Sequence, residues 1–236
     1  MKDLERNGAI VHIDDCGVSA YLFIADKNDG IQRVQYGGNW WDPKDLEIMS
    51  KYMTPTTRYL DIGANVGNHV IYFVRKFGLS SVWVIEPNPV AYNILLMNVL
   101  LNNMMDRVNM GWLGYGLSNA EGFALLDTPA GNLGGTRCIV QNGKGQIPLT
   151  TGDKLCANRD FDFIKIDVEW MEMECLAGLK ETIARCRPTM YIEVSGANKL
   201  PFHQWCEANK YDIVETYDFT GAQANYLIVP FADVAV

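Results

Sequence analysis

The stretch Tyr59-Leu60-Asp61-Ile62-Gly63-Ala64-Asn65-Val66-Gly67-Asn68-His69-Val70 joins two periodicities. Residues 59–62 read as a short apolar strand interrupted by one acid. Val66, Val70, Phe73 and Phe77 then recur at helical spacing, and Gly78 reads as the stop. Two glycines four apart stand between strand and helix. Glycine permits a sharp backbone turn and a close approach of a ligand to the main chain, and a helix start offers free N–H groups. The spacing is not the GxGxxG of a dinucleotide site. Asp61, two residues before the first glycine, would repel a pyrophosphate and welcome an ammonium or sulfonium. The plainer reading is a tight strand–helix turn with a capping Asn, and both remain open.

Outward from that stretch the texture keeps alternating. Residues 81–85 form a second buried strand, and Asn88-Pro89 starts a helix with Ala91, Leu95 and Val99 along one face. A third strand is expected within 108–117. Residues 122–149, rich in glycine and turn formers, resemble a β-hairpin insertion. Residues 161–167 give a fourth strand, Met173, Leu176, Leu179 and Ile183 a helix after it, and 188–194 a fifth strand. A helix near 203–209 and strands at 213–216 and 225–229 close the chain. Upstream, 9–13 and 19–24 pair as a hairpin about Asp14-Asp15-Cys16-Gly17. Pro43 to Met53 is predicted helical, with Asp42 as its N-cap. Such alternation predicts an α/β fold whose parallel sheet is covered on both faces. Ligands on such sheets bind outside the carboxyl ends of the strands.

With 236 residues, 48% of them hydrophobic and 20% charged, the chain can bury a large core, and charge-rich disorder is excluded. We expect one domain over 1–236, with a hairpin extension at 1–40 and a core at 55–232. A net charge of −8 argues against nucleic-acid binding, which needs a basic footprint. No run approaches the ~20 apolar residues of a membrane span, and residues 1–6 are too polar for a signal peptide. The six cysteines show no CxxC spacing and are expected to be reduced, in a cytoplasmic protein.

Chemistry is sought just past each strand. Glu86, in Glu86-Pro87-Asn88, follows Gly63 by 23 residues, the usual place of a ribose-diol acceptor. Alternatively it is a solvated Glu ahead of a helix cap. Lys165, Asp167 and Glu169 alternate and so share one face of an extended segment. Charges in an apolar strand are costly unless paired or used, so they are either functional or a buried pair that orders the loop. Glu193 ends the fifth strand nearby. His69 reads as a locally satisfied helix-turn histidine, although its ordinary pKa suits a base. Gly111-Trp112-Leu113-Gly114-Tyr115-Gly116 opens no helix, which disfavours a dehydrogenase.

These residues carry a resemblance. Residues 59–77, 84–95 and 163–194 are similar to the FkbM family of S-adenosylmethionine-dependent methyltransferases, in Leu60-Asp61-Ile62-Gly63-Ala64-Asn65-Val66-Gly67, Val84-Ile85-Glu86-Pro87-Asn88-Pro89 and Lys165-Ile166-Asp167-Val168-Glu169, with the motifs in the family's order from about 35 to 230. The resemblance implies a class I, Rossmann-like methyltransferase: a mostly parallel seven-stranded sheet with a reversed strand near 225–229, an N-terminal β-hairpin, and a β insertion before the fourth core strand. It implies that Asp61, Gly63, Asn65 and Gly67 cradle the methionine part of S-adenosyl-L-methionine, with Asn68 beside them. Glu86 would take the ribose, with Pro87 adjoining, and Asn88, Leu117 and Ser118 would lie near the adenine. S-adenosyl-L-homocysteine is the product. Asp167 or Glu193 is the expected base, with Glu169 orienting the acceptor and Lys165 holding a carboxylate ionised. A divalent metal on these acids is the less favoured route.

The implied reaction is O-methylation of a sugar or glycan hydroxyl, such as that of a deoxyhexose like rhamnose. Alternatives are a lipid-linked or natural-product hydroxyl, an amine, or a cofactor-binding module without catalysis. A further expectation is a place in a larger glycan-building enzyme with linked glycosyltransferase domains, viral in origin and then in the host cytoplasm. Three features depart from the family or fall outside the match. Trp170 stands where the family usually has Gly, and its ring would narrow the acceptor pocket or stack on a sugar face. Gly152 replaces a usual Leu, while Asp153 is retained. Tyr36 and Trp40-Trp41 precede the core and are read as packing residues rather than an acceptor wall.

Overall fold

A computed structural model describes residues 8–141, 143–218 and 223–232; the polar stretch 1–6 lies outside them. Strands β1 (Ala9–Asp15) and β2 (Val18–Ile24) pair antiparallel. Their two-residue turn, Cys16-Gly17, has both φ values positive, as a tight hairpin requires. The extension then adds helix α1 (Gly30–Tyr36), beyond the expected hairpin. Seven residues are too few to show an apolar period, so α1 rests on its cap: Asp29 accepts from Gln32 N. Helix α2 (Pro43–Ser50) starts at Pro43 as expected. Its N-terminal residue Asp42 departs from expectation: it is left-handed, with φ 49° and ψ 59°, and caps nothing with its side chain.

The core follows as β3 (Tyr59–Ile62), α3 (Asn68–Phe77), β4 (Val82–Ile85), α4 (Pro89–Leu101), β5 (Val108–Asn109), β6 (Gly116–Leu117), β7 (Gly122–Asp127), β8 (Arg137–Gln141), β9 (Ile147–Thr150), α5 (Gly152–Cys156), β10 (Phe163–Ile166), α6 (Glu172–Gly178), α7 (Lys180–Cys186), β11 (Thr189–Ser195), α8 (Lys199–Ala208), β12 (Tyr211–Asp218) and β13 (Gln223–Pro230). Seven strands form one sheet in the order β12-β13-β11-β10-β3-β4-β5, and β13 is the reversed strand, antiparallel to both neighbours. Strand alternation splits the core in two. Tyr59 and Phe163 face α3, α4 and the hairpin, whereas Leu60, Ile62, Ile164 and Ile166 face α6, α7 and α8.

One expectation holds within narrow bounds and one is corrected. The third strand lies within 108–117 but is only Val108–Asn109. It breaks after Asn109, and Gly116–Leu117 joins a second sheet, β6-β9-β7-β8, built from the insertion. Gly114, at φ +87°, supplies the intervening turn. The helix after β10 also breaks, at Leu179. Asp153 caps the second piece from outside, accepting from Glu181 N and Thr182 N at 2.9 and 2.7 Å. This explains both its retention and the neighbouring glycine: a Cβ on Gly152 would lie 2.3 Å from Leu179 Cδ2.

The hairpin is bound to α4 by side-chain amides. Asn98 Oδ1 accepts from Phe23 N, while Asn102 accepts from Tyr21 N and donates to Tyr21 O. Spaced four apart, the two amides share one helix face and satisfy the open edge of β2. Among the described residues, no helix is long and apolar enough to cross a membrane.

Candidate active site

A cavity of about 450 Å³ opens at the carboxyl ends of β3, β4, β10 and β11, where an open α/β sheet places its ligands. Gly63 forms its floor with φ +79°, and a Cβ there would sit 1.7 Å from the Asp167 carbonyl oxygen. Only glycine lets the ends of β3 and β10 meet this closely. The following residue pair turns toward β4: Gly63 N and Ala64 N both donate to Ile85 O.

Glu86 occupies one end. Its two carboxylate oxygens accept from Asn65 N and Asn88 N, each at 2.8 Å. Glu86 is 6% exposed and lines the cavity. Burial pushes its carboxyl up to about 7, with the two N–H donors pulling against that. Beside it lie Pro87, Leu117, Cys138 and Gly116, where a Cβ would come within 2.7 Å of Leu149 Cδ2. The result is a narrow, mostly apolar slot.

Asp167, Glu169, Glu193 and Asp42 crowd the other end. Lys165 lies beneath them, with Nζ 2.9 Å from Asp167 Oδ2 and 3.6 Å from Asp61 Oδ1. Burial alone would lower the Lys165 pKa; the two carboxylates outweigh it and raise it. Burial likewise opposes charge on Asp167, but the Lys165 ammonium prevails and holds it below the ordinary carboxylate range. Glu193 is driven up by burial and then by the Asp167 charge. Of this pair, the surroundings favour charge on Asp167, beside Lys165, and oppose it on Glu193. Glu169 is pushed up to about 7 by burial and by Asp167, and accepts from Gln223 Nε2 at 3.2 Å.

The wall thus contains Gly63, Asn65, Glu86, Pro87, Leu117, Asp167, Glu169 and Glu193. Five other expected cofactor residues form the frame behind it. Asp61 is 0% exposed and turned to Lys165. Gly67 is the left-handed N-terminus of α3, against Leu95. Asn68 is occupied by Gln35 and by both backbone groups of Trp41. Asn88 caps α4 through Val90 N and donates to Thr136 Oγ1. Buried Ser118 donates its N–H to Thr150 O. Trp170 also departs from expectation. Glu169 and Trp170 are both left-handed, at φ 45° and 77°, so Glu169 turns inward and Trp170 outward. The ring is 47% exposed, outside the cavity wall, under the Arg137 guanidinium at 4.9 Å. His69 is buried beside Phe73 and its pKa is lowered to about 3, first by burial and then by Lys165.

Sequence reasoning missed the roof. Gly30 and Ile31 come from the extension, Trp41 and Asp42 from the residues just after it, and residues 132–136 from the insertion between β7 and β8. Asp29 joins the two: one oxygen caps α1 and the other accepts from Leu133 N at 2.7 Å. Gly30 N donates to Gly131 O, and Gly134 packs so closely that a Cβ would lie 2.8 Å from Ile31 Cδ1. The glycines at 131, 134 and 135 were a visible signal of close packing; their partner was not. Trp40 is core, edge-on to Tyr72, whereas Trp41 is wall. Among the described residues, no three His, Cys, Asp or Glu side chains are grouped to hold a metal ion.

The sheet order with its reversed strand, and a cavity at the carboxyl ends of its central strands, are those of the Rossmann-like methyltransferase fold. The profile of the "Methyltransferase FkbM domain" matches residues 61–219. The chain belongs to this FkbM family of methyltransferases. It is 32% identical over 114 residues to methyltransferase sdnD of Sordaria araneosa, a match covering 47% of this chain and 43% of that protein. Among solved structures it resembles the FkbM methyltransferase of Methylobacillus flagellatus KT, with TM-score 0.53 and 20% identity over 74% of this chain and 44% of that one. It also resembles M. capricolum TrmK in complex with S-adenosyl-homocysteine, with TM-score 0.51 and 14% identity over 81% and 69% of the two chains. The chain spans less than half the length of sdnD and of the FkbM structure.

Proposed function

We propose that the chain transfers a methyl group from S-adenosyl-L-methionine to a sugar or glycan hydroxyl, with Asp167 as the base. The observation that carries this reading is one cavity lined both by Glu86, held by two backbone N–H groups, and by Asp167, paired with Lys165. The residues present suit the cofactor. Glu86 presents a carboxylate immobilised by two N–H groups, as a ribose diol requires. The slot at Gly116, Pro87 and Leu117 suits a flat base, and the acid-rich end suits positive charge.

The bound cofactor supplies an activated methyl group on a sulfonium, which carries the hard chemistry. The chain's own residues do the rest. Asp167 takes the hydroxyl proton, and Lys165 keeps it ionised from below. Glu193, protonated, hydrogen-bonds Asp167 and fixes its direction. Glu169, turned inward by its left-handed backbone, orients the acceptor.

The test is labelled methyl transfer to a panel of simple glycosides, a rhamnoside among them, with and without a chelator, alongside calorimetric binding of S-adenosyl-homocysteine. Asp167→Asn is expected to lower kcat about 10²–10⁴-fold while product affinity stays within about threefold. Full transfer by that variant removes Asp167 as base. Transfer abolished by the chelator replaces it with a metal route, and product binding with no transfer to any acceptor favours the non-catalytic module.

A further inference from the structure

The cofactor reading leaves one charge without a counterion. S-adenosylmethionine ends in an amino acid, and its ammonium needs an anion facing the cavity. The sequence offers Asp61 for this. In the fold, Asp61 is wholly buried, absent from the wall, and 3.6 Å from the chain's own ammonium at Lys165. That acid sits behind the wall, beside Lys165, and does not face the cavity.

Asp42 is the acid left over. It lines the cavity, near enough to Asp167 for that charge to act on it. Its left-handed backbone turns it away from the start of α2, so its carboxyl is not spent on the helix. Among the described residues, no Lys, Arg or His lies within ion-pair distance of it. Burial, then Asp45 and Asp167, push its carboxyl up to about 7, against the weaker pull of the Lys165 charge and of a hydrogen bond with Trp41. Its neighbours are already engaged. Asp45 accepts from Asn225 Nδ2 at 2.7 Å, Asp167 pairs with Lys165, and Glu169 accepts from Gln223.

We propose that Asp42 binds the amino-acid ammonium of the cofactor, an inference that rests on the cofactor reading above. Asp42 lies outside the matched family segment 61–219, so the contact belongs to the N-terminal arm. The arm is then part of the cofactor site and not only a cover for it.

The experiment is calorimetric binding of two ligands that share the adenosine and thioether: S-adenosyl-homocysteine, and 5′-methylthioadenosine, which has no amino acid. Wild type is expected to bind the first more tightly. Asp42→Asn, nearly isosteric, is expected to weaken S-adenosyl-homocysteine about tenfold, the loss of one charge-assisted contact. It should leave methylthioadenosine within about twofold, and that ligand also reports that the variant is folded. Equal weakening of both, weakening of neither, or a wild type that does not distinguish them overturns the proposal. A wild type that binds neither removes the cofactor reading itself.

Discussion

The ends of β3 and β4 lie side by side, and each carries an acid in a run of apolar residues. Their fates differ. Asp61 lies within the β3 ladder, directly opposite Lys165 on β10, so its side chain must take the face covered by α3. Glu86 comes one residue past β4, where the ladder has stopped and the chain turns along the crevice. Burial opposes charge on both. One is met by an ammonium and sealed; the other is met by two backbone N–H groups and left facing the cavity. A single step relative to the strand end separates a framework acid from one that can hold a ligand.

The contrast is tested most severely at Lys165. Lys165→Met leaves Asp61 and Asp167 without their cation and should cost about 3–5 kcal/mol, read as a fall in the denaturant midpoint. Adding Asp61→Asn should restore a good part of it. An unchanged midpoint in the single variant would show that Asp61 is not sealed by Lys165.

Next in size is a pH effect. Glu86, Asp42 and Glu169 titrate near about 7 in the fold, whereas unfolded carboxyls titrate near ~4. A carboxyl whose folded pKa is raised binds more protons in the native state, so stability falls as pH rises between the two values. The ligand-free chain should therefore be more stable at pH 5 than at pH 8, by urea denaturation. A flat profile would mean that water reaches these acids.

Smaller again is Glu86→Gln. The fold should persist, and S-adenosyl-homocysteine affinity should drop by about 1.5–3 kcal/mol, the worth of a hydrogen bond to a charged group. Asp61→Asn should move that affinity far less; equal losses would erase the distinction between the two acids. The smallest effect is expected at Asp153→Ala, remote from the cavity, at about 1 kcal/mol of stability for a lost helix cap with binding unchanged.

The parallel sheet was legible because its strands and helices are long enough to show their periods, and because Gly63, Gly67 and Gly78 sit where the backbone turns left-handed. The distance of Glu86 from the glycine loop pointed to an acid at the crevice, and it does line the cavity. The pairing of Asp61 with Lys165 was not legible, because it depends on which strand lies beside β3, and Lys165 is 104 residues away in the chain. Asp42 was hidden for a similar reason. An acid before Pro43 has the sequence of a helix cap, and only the φ of 49° shows that it turns elsewhere. The break in 108–117 and the seven-residue α1 were too short for any pattern to register.

The amides of α4 that hold the hairpin set a schedule for synthesis. Tyr21 waits for Asn102, which leaves the ribosome 81 residues later. At about 5–20 residues per second, β2 emerges roughly 4–16 seconds before its partner exists. Until then the open strand edge depends on its own hairpin or on a chaperone.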